Sequence, residues 1–258
     1  TVFTKNMIET IITNDAVNGF LFELAKHSKN LGAYNECIEL LDRIENGNIE
    51  VEGVAVHPFK HLLAFKKLKA NALTRLGRYK ESADLVYGLW HSGHRDPDTL
   101  CMLAAQYKRR AIFGQSKVND IADVDCRQIN MGLLERASKL YIEAFRNNID
   151  EYYPAINAAY LYLMLNDKSQ GNGIQLALYI KQVWGSRKGQ SWWLDATLAE
   201  AEMLSGFEEE ANEDLENAIK KHNPPAFELA ATTEQIEIYV KITGKEKAFE
   251  RILNTVKK

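Results

Sequence analysis

The stretch Leu31-Gly32-Ala33-Tyr34-Asn35-Glu36-Cys37 decides the fold of this chain, and its pattern returns as Leu76-Gly77-Arg78-Tyr79-Lys80-Glu81-Ser82. In both, an apolar residue at a helix end precedes a glycine, a tyrosine follows, and a small side chain lies three positions after the tyrosine. Glycine allows the helix to end in a left-handed conformation, and the small side chain allows an antiparallel helix to pack across the tight turn. The pattern therefore predicts helical hairpins, and its return predicts a repeat.

Small residues recur along the chain where neighbouring helices must approach closely. In the first helix of each predicted pair they are Ala25, Ala70, Ala104, Ala159 and Ala199. In the second helix they are Cys37, Ser82, Ala137 and Ala211. Larger side chains would hold the helices beyond the ~8–10 Å typical of helix packing. This self-similarity predicts an all-α fold, an α-solenoid of about five helix pairs of the tetratricopeptide repeat (TPR) type plus a terminal helix pair, wound as a right-handed superhelix.

Hydrophobic periodicity and turn residues divide the chain into helix pairs. The first predicted pair is 16–31 with 34–44, preceded by a leading helix at 5–13, and the second is 59–76 with 79–90. The third pair opens at Asp96-Pro97 and contains an insertion at about 114–128, and the fourth opens at Tyr152 and continues at 174–184. The fifth pair is 192–204 with 209–221, and the terminal pair is 228–242 with 245–256. A loop is expected between 47 and 58. We expect the terminal pair to close the solenoid toward water with a lysine-rich outer face, and residues 1–258 to form a single domain.

The composition is that of a folded helical protein. The chain has 258 residues, of which 46% are hydrophobic and 26% charged, and its formal net charge is -3. No apolar run approaches the ~20 residues that span a bilayer, so no membrane partner is expected. The three cysteines, Cys37, Cys101 and Cys126, are too widely spaced for a disulfide framework, which favours a reducing, cytoplasmic setting. Because Thr1 stands where an initiator methionine would, we expect either a trimmed chain or a segment of a longer protein.

Several short motifs follow one another along the chain: Asp96-Pro97-Asp98-Thr99-Leu100, Glu151-Tyr152-Tyr153-Pro154-Ala155-Ile156-Asn157, Arg187-Lys188-Gly189, Trp192-Trp193 and Pro224-Pro225. In their order and spacing they resemble the TRAF-binding regulatory region of the apoptosis-signal-regulating kinases, which are MAP kinase kinase kinases. The resemblance implies a helical repeat array that recruits a partner protein and regulates an effector in the same or an associated polypeptide. Nothing of the kinase itself is present, since His94-Arg95-Asp96 resembles its catalytic triplet only by letters and proline follows.

In a TPR array the first helix of each pair lines a concave groove that binds another polypeptide. With the alanines as the register, we expect partner-binding side chains at Lys26, Lys29, Lys67, Asn71, Arg75, Lys108, Arg109, Asn157, Tyr160 and Trp193. The groove would be basic at its front and aromatic toward its rear, which predicts an acidic protein segment or peptide as the partner.

Lys67 and Asn71 lie four residues apart on one helical face, and they resemble half of the carboxylate clamp of chaperone-binding TPR proteins. Met102 stands where the next repeat should supply an asparagine. General recognition of acidic segments is therefore favoured over capture of a C-terminal carboxylate.

The basic surface at residues 60–110 leaves a second interpretation open. The first part of this surface carries no acid and has these basic residues: Lys60, Lys66, Lys67, Lys69, Arg75, Arg78 and Lys80. Phosphate contacts need little beyond lysine and arginine, so RNA or a phosphorylated ligand is the alternative partner. The net negative charge makes nucleic acid the weaker choice, and long charged side chains also occupy ordinary solvated helix faces.

No residue set in the sequence points to catalysis, a metal or a cofactor. The chain has no phosphate-binding glycine loop, nucleophile elbow or helical His-Glu-x-x-His motif. His91, His94 and Asp96 lie close together and are interpreted as a polar turn rather than a metal site. Because adjacent helical residues point ~100° apart, one of Trp192 and Trp193 is expected to reach the groove or an interface. We therefore predict a non-catalytic docking module.

Overall fold

The computed structural model describes residues 5–46, 50–51, 54–55, 62–114, 121–165, 167–247 and 249–256. The chain divides into two compact units, Thr1–Arg95 (unit 1) and Asp96–Lys258 (unit 2). Each unit contains its own cluster of buried apolar side chains. The fold is all-α with a helical-repeat architecture, and the expectation of a single domain stays a prediction.

Unit 1 contains two helical hairpins joined by a segment with a short β-hairpin. Its elements are α1 (Lys5–Asn30), α2 (Tyr34–Glu45), β1 (Glu50–Val51), β2 (Val54–Ala55), α3 (Leu62–Arg75) and α4 (Tyr79–His91). Each helix packs against the next along the chain, and α3 also contacts α1. The first helices of the two hairpins are thus side by side, as the repeat predicts.

The glycine turns that predicted the repeat have the expected geometry. Gly32 and Gly77 adopt φ angles of 80° and 73°, which are in the left-handed region. In both turns the residue after the glycine donates its amide hydrogen to the helix carbonyl five positions back, at 2.9 Å. Cys37 and Ser82 are fully buried, and Ser82 Oγ donates to the Ala70 carbonyl at 2.8 Å. The prediction of helical hairpins at these two turns is confirmed.

Two details of unit 1 differ from the prediction. The separate leading helix at 5–13 is wrong, because α1 runs without a break from Lys5 to Asn30. This stretch has no proline, and a helical glycine such as Gly19 costs only about 1 kcal/mol, so nothing in it stops a helix. The expected loop at 47–58 contains the antiparallel strands β1 and β2. The predicted start of the following helix at residue 59 lies outside the described residues.

Unit 2 continues the helix pairs. Its helices are α5 (Pro97–Phe113), α6 (Met131–Asn147), α7 (Tyr152–Met164), α8 (Asp167–Trp184), α9 (Trp192–Leu204), α10 (Glu208–His222), α11 (Ala226–Thr243) and α12 (Glu250–Val256). As predicted, Asp96 caps α5, because its Oδ1 accepts a hydrogen bond from the Thr99 amide at 3.1 Å. Between α5 and α6 lie two 3-10 turns, Ile121–Asp123 and Cys126–Gln128.

The predicted register of small residues is confirmed by burial. The first-helix alanines are all at most 2% exposed: Ala25, Ala70, Ala104, Ala159 and Ala199. In α8 the small residue at the approach to α7 is Gly173, where an added Cβ would lie 2.7 Å from Leu163 Cγ and 2.9 Å from the Ala159 carbonyl oxygen. The prediction missed Gly173 because it began this helix at residue 174, whereas α8 begins at Asp167.

The terminal pair, α11 and α12, packs against earlier helices of unit 2. Every residue of α11 from 231 to 243 is buried or half-buried, and Ile236, Ile238, Tyr239 and Val240 are at most 5% exposed. α11 contacts α7 and the 3-10 turn Ile121–Asp123, while α12 packs against α10 and α11. Lys245 and Lys247 are exposed, in line with the predicted lysine-rich surface. The expectation that this pair closes the solenoid toward water stays a prediction.

Candidate functional site

The side of α5 and α7 that carries Lys108, Asn157 and Tyr160 is the inner face of unit 2. Lys108 Nζ donates to Asn157 Oδ1 at 3.0 Å and to Gln235 Oε1 at 2.8 Å. Asn157 Nδ2 donates to the Tyr153 carbonyl at 3.0 Å, which fixes its amide. One ammonium group therefore joins three helices, α5, α7 and α11, that are far apart in the sequence.

Burial dominates the electrostatics of this face. It lowers the pKa of Lys108 to about 8, although the carboxyl groups of Glu234 and Glu200 act in the opposite direction. It raises the pKa of Glu200, which is only 8% exposed, to about 8, and Lys108 opposes that rise. Arg109 Nη1 lies 3.9 Å from Glu234 Oε1, which adds a second contact between α5 and α11. The inner face thus combines ionisable groups whose charged forms are disfavoured by low solvation.

Tyr160 lies beneath α11 in the same place. Its side chain is fully buried, and its ring contacts the Tyr239 ring edge-on with the centroids 5.4 Å apart. Burial and the nearby Glu200 carboxyl raise the pKa of Tyr160 well above its usual value. In the described part of unit 2 its hydroxyl has no hydrogen-bond partner.

The predicted partner-binding residues of unit 2 therefore separate into two groups. Lys108, Arg109, Asn157 and Tyr160 contact α11 of the same chain, so α11 covers the face that they were expected to line, and their role in partner binding stays a prediction. Trp193 is 40% exposed while Trp192 is 5% exposed. One of the two adjacent rings is thus exposed, and the prediction that it reaches the groove or an interface stays a prediction.

On unit 1 the predicted side chains lie on α1 and α3. Lys29 is half-buried, and its pKa is lowered first by burial and then by the positive charge of Arg75. These two cations come from different helices and lie close enough to repel each other. Lys67, Asn71 and Arg75 follow at intervals of four along α3 and therefore share one face. The basic face of unit 1 consists of Lys29, Lys67, Asn71 and Arg75.

Two other lysines of unit 1 have acidic partners. Lys26 Nζ lies 3.4 Å from Glu23 Oε2 within α1. Lys69 contacts Asp42 and, at 3.5 Å, Glu45, both on α2. The basic run of the sequence is therefore divided, and Lys69 serves the packing of α2 on α3.

Asp195 and His222 form a polar clamp that sequence analysis missed. Asp195 is buried; its Oδ2 lies 2.9 Å from His222 Nε2, and its Oδ1 accepts from the Gly189 amide at 2.6 Å. Lys221 Nζ donates to the Gly189 carbonyl at 2.9 Å. The only sequence signal for this clamp is that the basic turn Arg187-Lys188-Gly189 is followed later in the chain by Pro224-Pro225. These bonds tie the turn between α8 and α9 to the end of α10.

Comparison with protein families identifies the repeat. Residues 33–162, half of the chain, match the model of the family Tetratricopeptide Repeats-Sensor (TPR-S). The chain belongs to the TPR-S family. The match runs from the start of α2 into α7, so it includes Lys67, Lys108 and Asn157. Proteins with TPR repeats are generally non-catalytic scaffolds, and the fold generally mediates protein–protein interactions.

Solved structures resemble this TPR-S chain at low sequence identity. TTC0263, a thermophilic TPR protein of Thermus thermophilus, has a TM-score of 0.56 at 16% identity, over 85% of this chain and 98% of that chain. A TPR protein from Parabacteroides merdae has a TM-score of 0.48 at 13% identity, over 98% and 90% of the two chains. Naa15/Naa10 bound to HypK-THB gives 0.44 at 16% identity, over 92% and 30%. The first of these supports the TPR fold. No curated protein gives a significant match.

The part of the TPR-S chain that the structure describes contains neither a candidate metal site nor a candidate membrane span. No three His, Cys, Asp or Glu side chains there are grouped so that they could hold a metal ion. None of the described helices has the length and apolar character needed to cross a membrane.

Substitution of Asp195 by alanine is expected to destabilise the TPR-S chain. The change leaves the Gly189 amide and the His222 ring without their buried acceptor, and the loss is expected to lower the free energy of unfolding by about 2–4 kcal/mol. Urea unfolding followed by circular dichroism measures it. Glu213→Ala, an exposed change on α10, is the control and should stay within about 0.5 kcal/mol of the parent protein. Equal unfolding midpoints for the two variants would show that the clamp does not hold the turn.

Proposed function

We propose that this TPR-S chain is a non-catalytic docking scaffold whose basic face on unit 1 binds an acidic segment of a partner protein. The carrying observation is the row of Lys67, Asn71 and Arg75 at intervals of four along α3. The positive charge of Arg75 also contributes to the lowered pKa of Lys29 on α1. Two neighbouring cations repel each other, and a carboxylate bound near both would relieve that repulsion.

The α3 side chains support the same chemistry. Lys67 and Asn71 share a face with Arg75, and Asn71 and Arg75 are exposed. Hydrogen bonds from lysine or arginine to a carboxylate are worth roughly 1.5–3 kcal/mol where water is partly excluded. A segment with several Asp or Glu residues fits a face that presents several donors in a row. The partner class is therefore an acidic protein segment.

The proposal includes regulation of an effector, in the same or an associated polypeptide. Its support is the resemblance of the motifs Asp96-Pro97-Asp98-Thr99-Leu100 and Arg187-Lys188-Gly189 to the regulatory region of the apoptosis-signal-regulating kinases. In this chain, as in those kinases, a helical repeat array would hold a partner protein close to the effector that the array controls.

Lys67→Glu is expected to weaken binding of a fluorescent peptide rich in Asp and Glu by about tenfold or more, because one attractive contact becomes a repulsive one. Fluorescence anisotropy at physiological salt measures the affinity. The matched control is Lys80→Glu, which makes the same charge change at an exposed position on α4. A peptide with Gln and Asn in place of the acids should bind neither protein. Equal losses in the two lysine variants would reduce the effect to overall charge and overturn the proposed face.

The same assay tests the alternative partner. A single-stranded RNA that binds more tightly than the acidic peptide, with an affinity that falls steeply as salt rises, would replace the acidic segment with a nucleic acid.

A further inference from the structure

The position of α11 bears on partner binding as well as on the fold. Its residues Glu234, Gln235 and Tyr239 reach the inner face of unit 2, at Arg109, Lys108 and Tyr160 respectively. The inner face is the side of the first helices, the side on which TPR arrays bind other polypeptides. A helix of the chain itself therefore lies where a bound segment would lie.

The C-terminal part of α11 packs Ile236, Ile238, Tyr239 and Val240 into the apolar core of unit 2. Polar groups add further contacts. Lys241 Nζ donates to the carbonyls of Ile121 and Ala122, at 2.5 and 2.7 Å. Cys126 Sγ contacts the Lys241 carbonyl at 3.4 Å. The partners of Lys241 belong to the 3-10 turns between α5 and α6, not to a repeat helix. The contact thus extends from the inner face to the segment that interrupts the third repeat.

The polar part of this contact determines which helix fits the inner face. Gln235 and Asn157 share the ammonium of Lys108, whose charged form burial disfavours. Buried polar and ionic contacts stabilise an interface less than apolar packing of the same volume. They do specify the occupant, because a helix without the matching groups leaves buried donors and acceptors unpaired. The face is therefore selective for one helix chemistry.

We propose that α11 is an internal ligand of the inner face of unit 2, and that a helix of a partner protein with the same chemistry displaces it. Such a helix presents a carboxylate, an amide at the next position and an aromatic ring four positions after the amide, as Glu234, Gln235 and Tyr239 do. Helix in groove is a common mode of peptide recognition. Release of α11 would open the inner face and free the α11–α12 segment together. This inference concerns a second face and does not depend on the acidic partner of unit 1.

Hydrogen exchange of the full chain tests the first half of the proposal. Sub-global opening predicts that α11 amides exchange faster than those of α7, because α11 leaves while the repeat helices stay folded. Glu234→Ala with Gln235→Ala should increase α11 exchange further and leave α7 unchanged. Glu228→Ala, in the first turn of the same helix, is the control. Exchange of α11 at the rate of α7 in all proteins would show that α11 leaves only on global unfolding and would overturn the proposal.

Competition by a peptide tests the second half. The probe is a fluorescent peptide with the sequence of residues 226–243. It should bind the double variant about tenfold more tightly than the parent chain, because the apparent affinity rises with the fraction of open molecules. A peptide with alanine at the positions of Glu234 and Gln235 should bind neither protein.

Two results would contradict this half of the proposal. Absence of peptide binding to a double variant that exchanges quickly would overturn the assignment of the inner face as a helix site. A stable dimer of the double variant in light scattering would instead assign α11 to a second copy of the chain and overturn the choice of a partner protein.

Discussion

Gly173→Ala is expected to lower the free energy of unfolding of unit 2 by about 1–3 kcal/mol, against the usual gain from alanine in a helix. The added Cβ would lie 2.7 Å from Leu163 Cγ and 2.9 Å from the Ala159 carbonyl oxygen. A leucine side chain can shift, but a helix carbonyl cannot move without separating α7 from α8. Valine or leucine at this position should prevent the two helices from pairing. Thermal and urea unfolding of the full chain measure both effects.

Gly171→Ala is the matched control for this prediction. Gly171 belongs to the same helix, and an added Cβ there meets nothing within 4 Å. Relief of the glycine penalty should therefore stabilise the protein by about 0.5–1 kcal/mol. Opposite signs at two positions only two residues apart would locate the close contact. A gain of stability at Gly173 as well would show that α7 and α8 do not approach as closely as described.

Glu200→Gln is expected to change the pH dependence of the free energy of unfolding. At low pH the substitution should change the free energy of unfolding much less. Burial raises the pKa of Glu200 from 4.5 to about 8 in the folded state. Between those values the folded protein holds a proton that the unfolded chain has lost, so stability falls as pH rises from about 4.5 through 8. A loss on the order of 1–3 kcal/mol across this range is expected for the parent chain. Glutamine resembles the protonated carboxyl group and cannot ionise.

The other ionisable groups near Glu200 act differently. The pKa of Lys108 is lowered from 10.5 to about 8, so its contribution recovers as pH rises from about 8 to 10.5. Glu234 and Arg109 influence Lys108, and Tyr160 is influenced by Glu200. The difference between parent and variant should therefore develop below pH 8, where Lys108 and Arg109 keep their charge.

Urea unfolding at several pH values between 5 and 8 measures the Glu200 effect. The two proteins should have similar stability at pH 5, and Glu200→Gln should be the more stable at pH 8. Glu213→Gln, an exposed change, should follow the parent chain across the range. Parallel curves of unfolding free energy against pH for all three proteins would mean that Glu200 titrates as a solvated carboxyl group. That result would contradict the burial of the inner face.

The features that the sequence predicted well are those that depend on residues close together in the chain. The turns at Gly32 and Gly77, the cap at Asp96 and the buried alanines follow from backbone conformation and helical periodicity, which act over a few residues. The family match to TPR-S agrees with that pattern. Gly173 was missed although it is also local, because a glycine beside Gly171 and Asn172 looks like a loop when the packing against α7 is unknown.

The sequence by itself therefore determined a TPR chain of paired helices, together with the basic character of α3. Only the tertiary structure decided that Lys108 meets Gln235, which is 127 positions away, and that Asp195 meets His222. The first of these contacts depends on the path that α11 takes after the last full pair, and the second depends on how α10 packs on α9. That path is set by burial of apolar surface and by polar partners from distant helices, and no periodic pattern within α11 records them.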